Sequence, residues 1–283
     1  MFTLTTIKKH AVGTKVPPTV AVALVILCTV MLWAAVGPIL SPHDPSTQDL
    51  LRGVTTPDSA HWLGTDEMGR DVFSRLIDGT RRSVFGPLCV AIGTLVIGAS
   101  LGLVAGYRGG VLDGILNRFA DLVYALPALL IAIALLGILG GSYWLTVAIL
   151  VFLSIPSAIR IVGSVSRVQV HLPYIDSAKT LGLSDSRIMI RHVLPNVAPT
   201  VLAVFLLDFV GAMVAFSSLS FLGIGVNPGA ADWGSMLAQG QSLISENPWV
   251  AVTPATCLIL TGSAVTIFGD WLFDRLTHSG RQG

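Results

Sequence analysis

Six long apolar runs, separated by polar segments, set the pattern of the sequence. They cover residues 20–39, 84–106, 122–140, 145–162, 197–217 and 250–269. Each run has roughly the 20 residues that a helix needs to cross the hydrocarbon layer of a membrane, so the pattern predicts six transmembrane helices. Lys8, Lys9 and Lys15 before the first run also fit a signal peptide, but the length of that run favours an uncleaved span.

Small residues and prolines within the runs indicate how the helices pack. Gly98, Gly102 and Gly106 recur every four residues and predict a smooth face on which another helix approaches closely. Prolines occur in or near four of the runs and are compatible with bends. We therefore predict a tightly packed bundle.

Composition narrows the class of protein. Of the 283 residues, 53% are hydrophobic and only 12% are charged, and the mean hydropathy is +0.76. A soluble domain carries about 25% charged residues. With a net charge of +1, these values exclude a soluble enzyme, a disordered tail and a protein that binds nucleic acid through bulk basicity. We predict an all-α membrane protein in contact with lipid and without a nucleic-acid partner.

The placement of basic residues predicts the orientation, because cytoplasmic loops of membrane proteins are enriched in Lys and Arg. If both termini lie in the cytoplasm, only five of the 17 basic residues lie outside. These five are Arg52, Arg70, Arg75, Arg81 and Arg82. The topology then has external loops at residues 41–83 and 219–249, a cytoplasmic loop at 163–196 and a cytoplasmic amino-terminal segment at 1–19.

The predicted cytoplasmic loop contains a segment, residues 171–196, with strong helix signals. Pro173 suits a first helical turn. Ile175, Ala178 and Leu181 recur every three residues and form a narrow apolar ridge. These positions predict a short amphipathic helix.

A glycine corner and a second helix are predicted to follow. Gly182 can end the first helix in a left-handed conformation, and Ser184 can cap the next. We expect the second helix to end at Leu194, because Pro195 follows. The shape fits a groove on a soluble protein or, alternatively, the surface of the membrane.

The 171–196 segment resembles the coupling loop of permease subunits of bacterial ABC importers. That loop has a Glu-Ala-Ala triplet, a glycine four residues on, and a later His-x-Leu-Pro. Here the triplet is Asp-Ser-Ala at 176–178, and Arg-His-Val-Leu-Pro-Asn stands at 191–196. The resemblance implies that the segment contacts a separate ATPase. The residues to which it assigns this role are Tyr174, Asp176, Ser177, Ala178, Gly182, Ser184, Arg191, His192 and Pro195.

Two external motifs resemble the dipeptide and oligopeptide permeases of this class. Residues 61–82 match the pattern that follows the first span, and residues 220–237 match the pattern before the last span, with Gly229 in place of a usual proline. The matching residues of the first motif include Gly64, Thr65, Asp66, Gly69, Arg70, Asp71 and Arg75. With the six-span layout, the chain is identified as a member of this family, of the C-type subunit.

The resemblance implies a type I ABC-importer permease fold over residues 20–283, in the bacterial cytoplasmic membrane. It also implies a second, related permease subunit, two ATP-binding subunits and an external solute-binding protein. No cofactor is expected on this chain. ATP and Mg²⁺ are expected on the partner subunits, because the sequence lacks the phosphate-binding pattern Gly-x-x-x-x-Gly-Lys-Ser/Thr. The implied substrate is a short peptide, with nickel or glutathione as the alternative.

Polar residues within the spans are candidates for the translocation pathway. Asp208 is the only carboxylate in the apolar runs, and such groups pair with another helix or line a wet path. On the second interpretation it offers a negative charge to the amino end of a peptide. Ser217 and Ser218 are further candidates. An ion-driven secondary transporter is the alternative class, but it commonly carries several buried ionisable groups.

Other polar residues suggest alternative roles, such as metal binding or catalysis. His61, Asp66, Glu67 and Asp71 in the first external loop suggest a metal or catalytic site, but zinc-type spacing such as His-Glu-x-x-His is absent. We predict instead that the acids of this loop pair with its arginines. His192 in the cytoplasmic segment is expected to be structural, with its ring bonded to backbone carbonyls. No catalytic or metal-binding residue is therefore assigned.

Overall fold

The computed structural model describes residues 16–225 and 229–279. Lys8, Lys9, Lys15 and Arg281, which entered the predicted orientation, lie outside the described residues. Within those ranges the chain is helical, apart from loops, turns and two isolated β-bridges. The helices are α1 (Pro18–Leu40), α2 (Val72–Arg108), α3 (Gly110–Tyr124), α4 (Ala128–Leu139), α5 (Tyr143–Val170), α6 (Pro173–Thr180), α7 (Asp185–Phe221), α8 (Trp233–Ser242) and α9 (Trp249–Ser279).

Five of these helices, α1, α2, α5, α7 and α9, are long and apolar enough to cross a membrane. Helices α3 and α4, whose axes meet at 78°, are together long and apolar enough for a sixth crossing when they are taken as one bent span. Pro127 lies at the break with an extended backbone, and the residue before a proline is disfavoured in a helix. The single helix predicted over residues 122–140 is therefore two helices.

Helix α2 begins well before the apolar run that it contains. Asp71 caps it, since the carboxylate accepts a hydrogen bond from the Ser74 backbone N–H at 2.8 Å. The external segment predicted over residues 41–83 is therefore a loop only as far as Asp71, and its last twelve residues are the start of α2. Charged side chains in these first turns hide the helix in the sequence pattern, but Val72 and Leu76 among them are buried.

Helix α7 continues through the end that was predicted at Leu194. The ring of Pro195 would crowd a carbonyl oxygen one turn earlier in an ordinary α-helix. A π-helical turn, Met189–Val193, widens the helix at that point. The second helix of the 171–196 segment and the fifth span are consequently one continuous helix of 37 residues, about 55 Å long.

Helices α2 and α5 approach one another through small residues, as predicted. A Cβ built at Gly98 would lie 2.8 Å from the Ala158 methyl group, and one at Gly106 would lie 2.4 Å from the Gly163 carbonyl oxygen. Both distances are shorter than a favourable carbon contact of about 3.5 Å. Larger residues would push the helices apart.

Three clusters of buried side chains connect the helices. The first joins α1, α2, α7, α8 and α9 around Trp233 and includes Val30 of α1. The second joins α2, α3, α4, α5 and α7 around Leu136. The third joins α2, α5, α6 and α7 around Ile175. The first apolar run is thus an integral helix of the bundle, and the short helix α6 belongs to its core.

Candidate functional site

A buried ionic cluster joins the two predicted external loops. The Asp66 Oδ2 atom lies 2.8 Å from Arg70 Nε and 3.4 Å from Arg75 Nε, and each of the three side chains is 4% exposed or less. The Gln239 side chain in α8 accepts hydrogen bonds from both guanidinium groups, at 3.3 and 3.4 Å. We call the described residues between α1 and α2 and between α7 and α9 the outer cap.

Asn247 joins the two loops of the outer cap. Its side-chain amide donates to backbone carbonyls that include those of Thr55 and Thr65, at 3.0 and 3.3 Å. Chain segments here are very close: a Cβ at Gly64 would lie 2.1 Å from the Thr55 carbonyl oxygen, and one at Gly69 would lie 1.9 Å from another carbonyl oxygen. Both glycines also have positive φ angles, +72° and +71°, so only glycine fits.

Two histidines meet Asp71 at the start of α2. The His61 Nδ1 atom lies 2.9 Å from one carboxylate oxygen and His43 Nδ1 lies 3.8 Å from the other. Possible ligand atoms of the three side chains lie within 4.8 Å of one another. Helix capping and the bond from His61 already engage both carboxylate oxygens. Asp66, which was also considered for a metal site, belongs to the arginine cluster instead.

The 171–196 segment is fixed to the spans by a buried apolar face. Ile175 and Ile188 are fully buried, and Ala178 is 5% exposed. All three pack in the third cluster with side chains of α2 and α5. The predicted ridge extended to Leu181, but that residue is 80% exposed, because α6 ends at Thr180 and the chain turns away from the helical path.

The corner between the two helices has the geometry that Gly182 predicts. Its φ angle is +74°, its N–H donates to the Lys179 carbonyl at 2.9 Å, and the Leu183 N–H donates to the Ala178 carbonyl at 3.2 Å. This pair of bonds is the Schellman motif of helix ends. Ser184 occupies the N-cap position of the next helix, but its side chain does not make the predicted capping bond.

Polar contacts fix the same segment to the ends of the spans. The Tyr174 hydroxyl donates to Gln169 at 2.9 Å and lies 3.4 Å from the Asn196 amide. Partial burial raises the pKa of the Tyr174 phenol. The Tyr107 hydroxyl at the end of α2 donates to Asp185 at 2.8 Å. Both helices of the segment are therefore attached to the bundle.

Most residues assigned to ATPase contact face away from the bundle. The exposed ones are Tyr174, Asp176, Ser177, Gly182, Ser184, Arg191 and Pro195. Ala178 is buried and His192 is partly buried. Within the described residues the His192 ring lacks the predicted bond to a backbone carbonyl, whereas His171 Nδ1 lies 2.7 Å from the Arg167 carbonyl oxygen.

The residues predicted to line the translocation pathway lie in two different places. Ser217 and Ser218 line a groove of about 640 Å³ between α7 and α9. Asp208 is nine residues before Ser217, which is about half a turn around an α-helix, and it does not line the groove. Its Oδ2 atom is buried without a hydrogen-bond partner among the described residues. The structure therefore groups the two serines but not the carboxylate.

The residues that close the outer cap from the second loop were missed in the sequence. Gln239 and Asn247 bond to groups more than 160 residues away, and no local pattern marks such partners. Asp232 did carry a signal. It precedes α8, and its carboxylate accepts bonds from the Gly234 and Ser235 N–H groups, as helix-capping residues do.

Comparison with known proteins gives the family. Residues 98–279 match the family described as binding-protein-dependent transport system inner membrane component. The chain belongs to this family of ABC-importer permeases. This permease is 37% identical to the glutathione transport system permease protein GsiD of Pectobacterium atrosepticum, over 89% of this chain and 83% of the relative.

Two further relatives support the membership. The permease is 34% identical to the oligopeptide transport system permease protein OppC of Bacillus subtilis, over 90% of this chain and 84% of the relative. It is 32% identical to the probable D,D-dipeptide transport system permease protein DdpC of Escherichia coli, over 93% and 88%. The expected family, of dipeptide and oligopeptide type, is therefore confirmed, together with an inner-membrane location.

A solved structure confirms the fold of the permease. The match is to the inward-facing MetNI methionine ABC transporter, with a TM-score of 0.58 and 16% identity, over 72% of this chain and 97% of that chain. The predicted all-α membrane fold is thereby confirmed. An ion-driven secondary transporter is not favoured, because both the family and the fold are those of ABC permeases.

Proposed function

We propose that this chain forms half of the translocation pathway of an ABC importer for short peptides. Residues 20–283 form the permease domain, and residues 1–19 precede it in the cytoplasm. The 171–196 segment contacts an ATPase on the cytoplasmic side, and the outer cap lies on the opposite side. ATP and Mg²⁺ bind to the partner subunits and not to this chain.

The observation that supports this proposal most strongly is the construction of the 171–196 segment. One face is buried in the bundle through Ile175, Ala178 and Ile188, while the opposite face exposes polar side chains and Leu181 and Ile190, which are 80% and 61% exposed. Such a segment binds a groove on a soluble protein through its exposed face and transmits the displacement through its buried face.

The mechanism follows from the continuity of α7. When two ATPase subunits close over nucleotide, they displace the 171–196 segment, and α7 carries that displacement into the spans without an intervening loop. Closely packed helices have a few discrete arrangements and do not deform gradually. ATP binding therefore shifts the population between inward-open and outward-open states.

A second permease subunit completes the pathway in this proposal. We assign the contact surface for this partner to the apolar residues of α4, of which Leu130, Ile138 and Leu139 are 60–80% exposed. The partner is related and not identical, so the pair is a heterodimer. Two ATP-binding subunits contact the cytoplasmic side, and a solute-binding protein contacts the outer cap.

The substrate class is supported by the relatives. Their names refer to glutathione, oligopeptides and a D,D-dipeptide, which are all compounds of a few linked amino acids. We therefore propose that the substrates are short peptides, glutathione among them, and not nickel.

A gentle purification of the chain from its native membrane, followed by mass spectrometry, tests the assembly. We expect two ATPase subunits and a second permease to accompany it. Reconstitution of that complex with its binding protein should then give peptide uptake that requires ATP. Recovery of the chain alone or as a homodimer from several mild detergents would contradict the proposal, as would uptake that persists without ATP.

A further inference from the structure

A cavity of about 380 Å³ opens beside the outer ends of α2 and α5. We call this cavity the vestibule. Its volume lies within the range of about 300–1,000 Å³ that is usual for small-molecule sites. The residues that line it are Asp78, Arg81, Arg82, Phe85, Tyr143, Trp144 and Ala230.

The charges of the vestibule favour an anion. Arg82 is already engaged: its NH1 atom lies 3.1 Å from Asp78 and 3.2 Å from the Ala231 carbonyl oxygen. Arg81 is exposed and makes no ion pair or hydrogen bond with any residue that the structure describes. Two arginines and one aspartate give the vestibule a net charge of +1. Arg81 supplies the uncompensated guanidinium group, whose planar donors match a carboxylate.

Aromatic rings form the other wall of the vestibule. Phe85 and Trp144 meet edge to face, with ring centroids 6.1 Å apart, and Tyr143 packs against Trp144 at 5.6 Å. Phe85 is 48% exposed and Trp144 is 62% exposed. This wall offers apolar surface to a ligand side chain beside the charge of Arg81.

The vestibule lies near the groove that Ser217 and Ser218 line. A cavity of about 10 Å³ shares Arg82 and Tyr143 with the vestibule and shares Ser217 with the groove. Tyr143 is held in place at this small cavity: its hydroxyl donates to the Arg82 carbonyl at 3.0 Å, and its ring lies 5.4 Å from that of Phe216. The three spaces are therefore neighbours that share lining residues, and Tyr143 and Phe216 line the small cavity between the other two.

We propose that the vestibule binds the carboxylate end of a peptide before the peptide enters the translocation pathway. Arg81 holds the carboxylate, and Phe85 and Trp144 contact the terminal side chain. This inference rests on the proposed function and adds to it a site on the permease that distinguishes a free carboxyl terminus from a blocked one.

The test compares uptake of trialanine with uptake of trialanine amide, which lacks the terminal negative charge. The complex and its binding protein are reconstituted with the unsubstituted chain, with Arg81→Gln, or with Arg52→Gln. Arg52 is an exposed arginine of the outer cap that does not line the vestibule, so it is the matched control. Because the binding protein is the same throughout, a change in the ratio of the two uptakes belongs to the permease.

We expect Arg81→Gln to lower uptake of trialanine by about tenfold or more, the usual effect of losing a bond between two charged groups. Uptake of trialanine amide should stay within about twofold, and Arg52→Gln should change neither. Arg81→Lys should recover part of the loss, because it restores the charge without the planar donors.

Other outcomes would overturn the inference in distinguishable ways. An unchanged ratio of trialanine uptake to trialanine amide uptake with Arg81→Gln shows that Arg81 does not recognise the carboxylate. An equal fall for both peptides assigns Arg81 to a lipid phosphate or to the binding protein. If the unsubstituted complex takes up neither peptide with ATP, the proposed function fails and the inference fails with it.

Discussion

Replacing Gly182 with valine tests whether the corner of the 171–196 segment transmits force. The φ angle of Gly182 is +74°, and no atom lies within 4 Å of a Cβ built there. The substitution therefore creates no steric clash, and its cost arises in the backbone. A left-handed conformation costs an L-residue roughly 1–2 kcal/mol, and a β-branched side chain belongs at the upper end of that range.

The expected functional loss follows from this energy. A cost of about 1–2 kcal/mol lowers the population of the native corner by a factor of about 5–30 relative to alternatives. The Schellman bonds from Gly182 and Leu183 are lost when the corner opens. We therefore expect uptake per ATP hydrolysed to fall, by at most about 5–30-fold. The buried anchors Ile175 and Ile188 should keep the chain folded in the membrane.

The assay measures ATP hydrolysis and peptide uptake in the same proteoliposomes. Gly114→Val is the matched control, because this glycine in α3 also has no atom within 4 Å of a built Cβ and lacks a positive φ angle. Gly182→Asn should show a smaller loss, since Asn tolerates the left-handed region better than other residues do. Unchanged coupling in Gly182→Val, or an equal loss in Gly114→Val, would refute this reasoning.

Three further substitutions test other parts of the structure. Asp66→Asn leaves two buried arginines without a carboxylate and should lower the free energy of unfolding by about 3–5 kcal/mol. The control Asp78→Asn, in a partly exposed pair, should lower it by at most about 1 kcal/mol. Similar thermal shifts of the two variants in detergent would contradict this difference. Ile188→Ala should cost about 2–5 kcal/mol and increase protease cleavage of the 171–196 segment, unlike Ile190→Ala at an exposed site. Asp208→Asn should reduce uptake of peptides with a free amino end, and unchanged uptake and preference would remove Asp208 from the pathway.

The spans and the glycine corner could be predicted because their causes are local. An apolar run of membrane length leaves few alternatives to a helix, since backbone groups in lipid must bond within the same segment. Likewise, Gly182 marks a left-handed helix end from its own residue type. The close approach of α2 to α5 was also visible, as Gly98, Gly102 and Gly106 share one helix face.

Other features depend on partners that a local pattern does not show. The first turns of α2 look like a loop because they contain Arg75 and other charged residues, yet Arg75 is buried by Asp66 and by Gln239 from α8. Pro195 suggested a helix end, but a π-helical turn before it keeps the helix continuous. The vestibule is assembled from α2, α5 and the second external loop, so its shape appears only when these elements pack.

The long separation between the partners in the outer cap gives the chain an order of assembly. Arg70 and Gln239 are 169 residues apart, which corresponds to about 8–34 seconds of synthesis at typical rates of 5–20 residues per second. Until α8 has been made and exported, the guanidinium groups of Arg70 and Arg75 lack the amide that completes their bonding. Closure of the cap is therefore a late event in biogenesis. It requires that the loop before α2 and the loop after α7 have both reached the same side of the membrane.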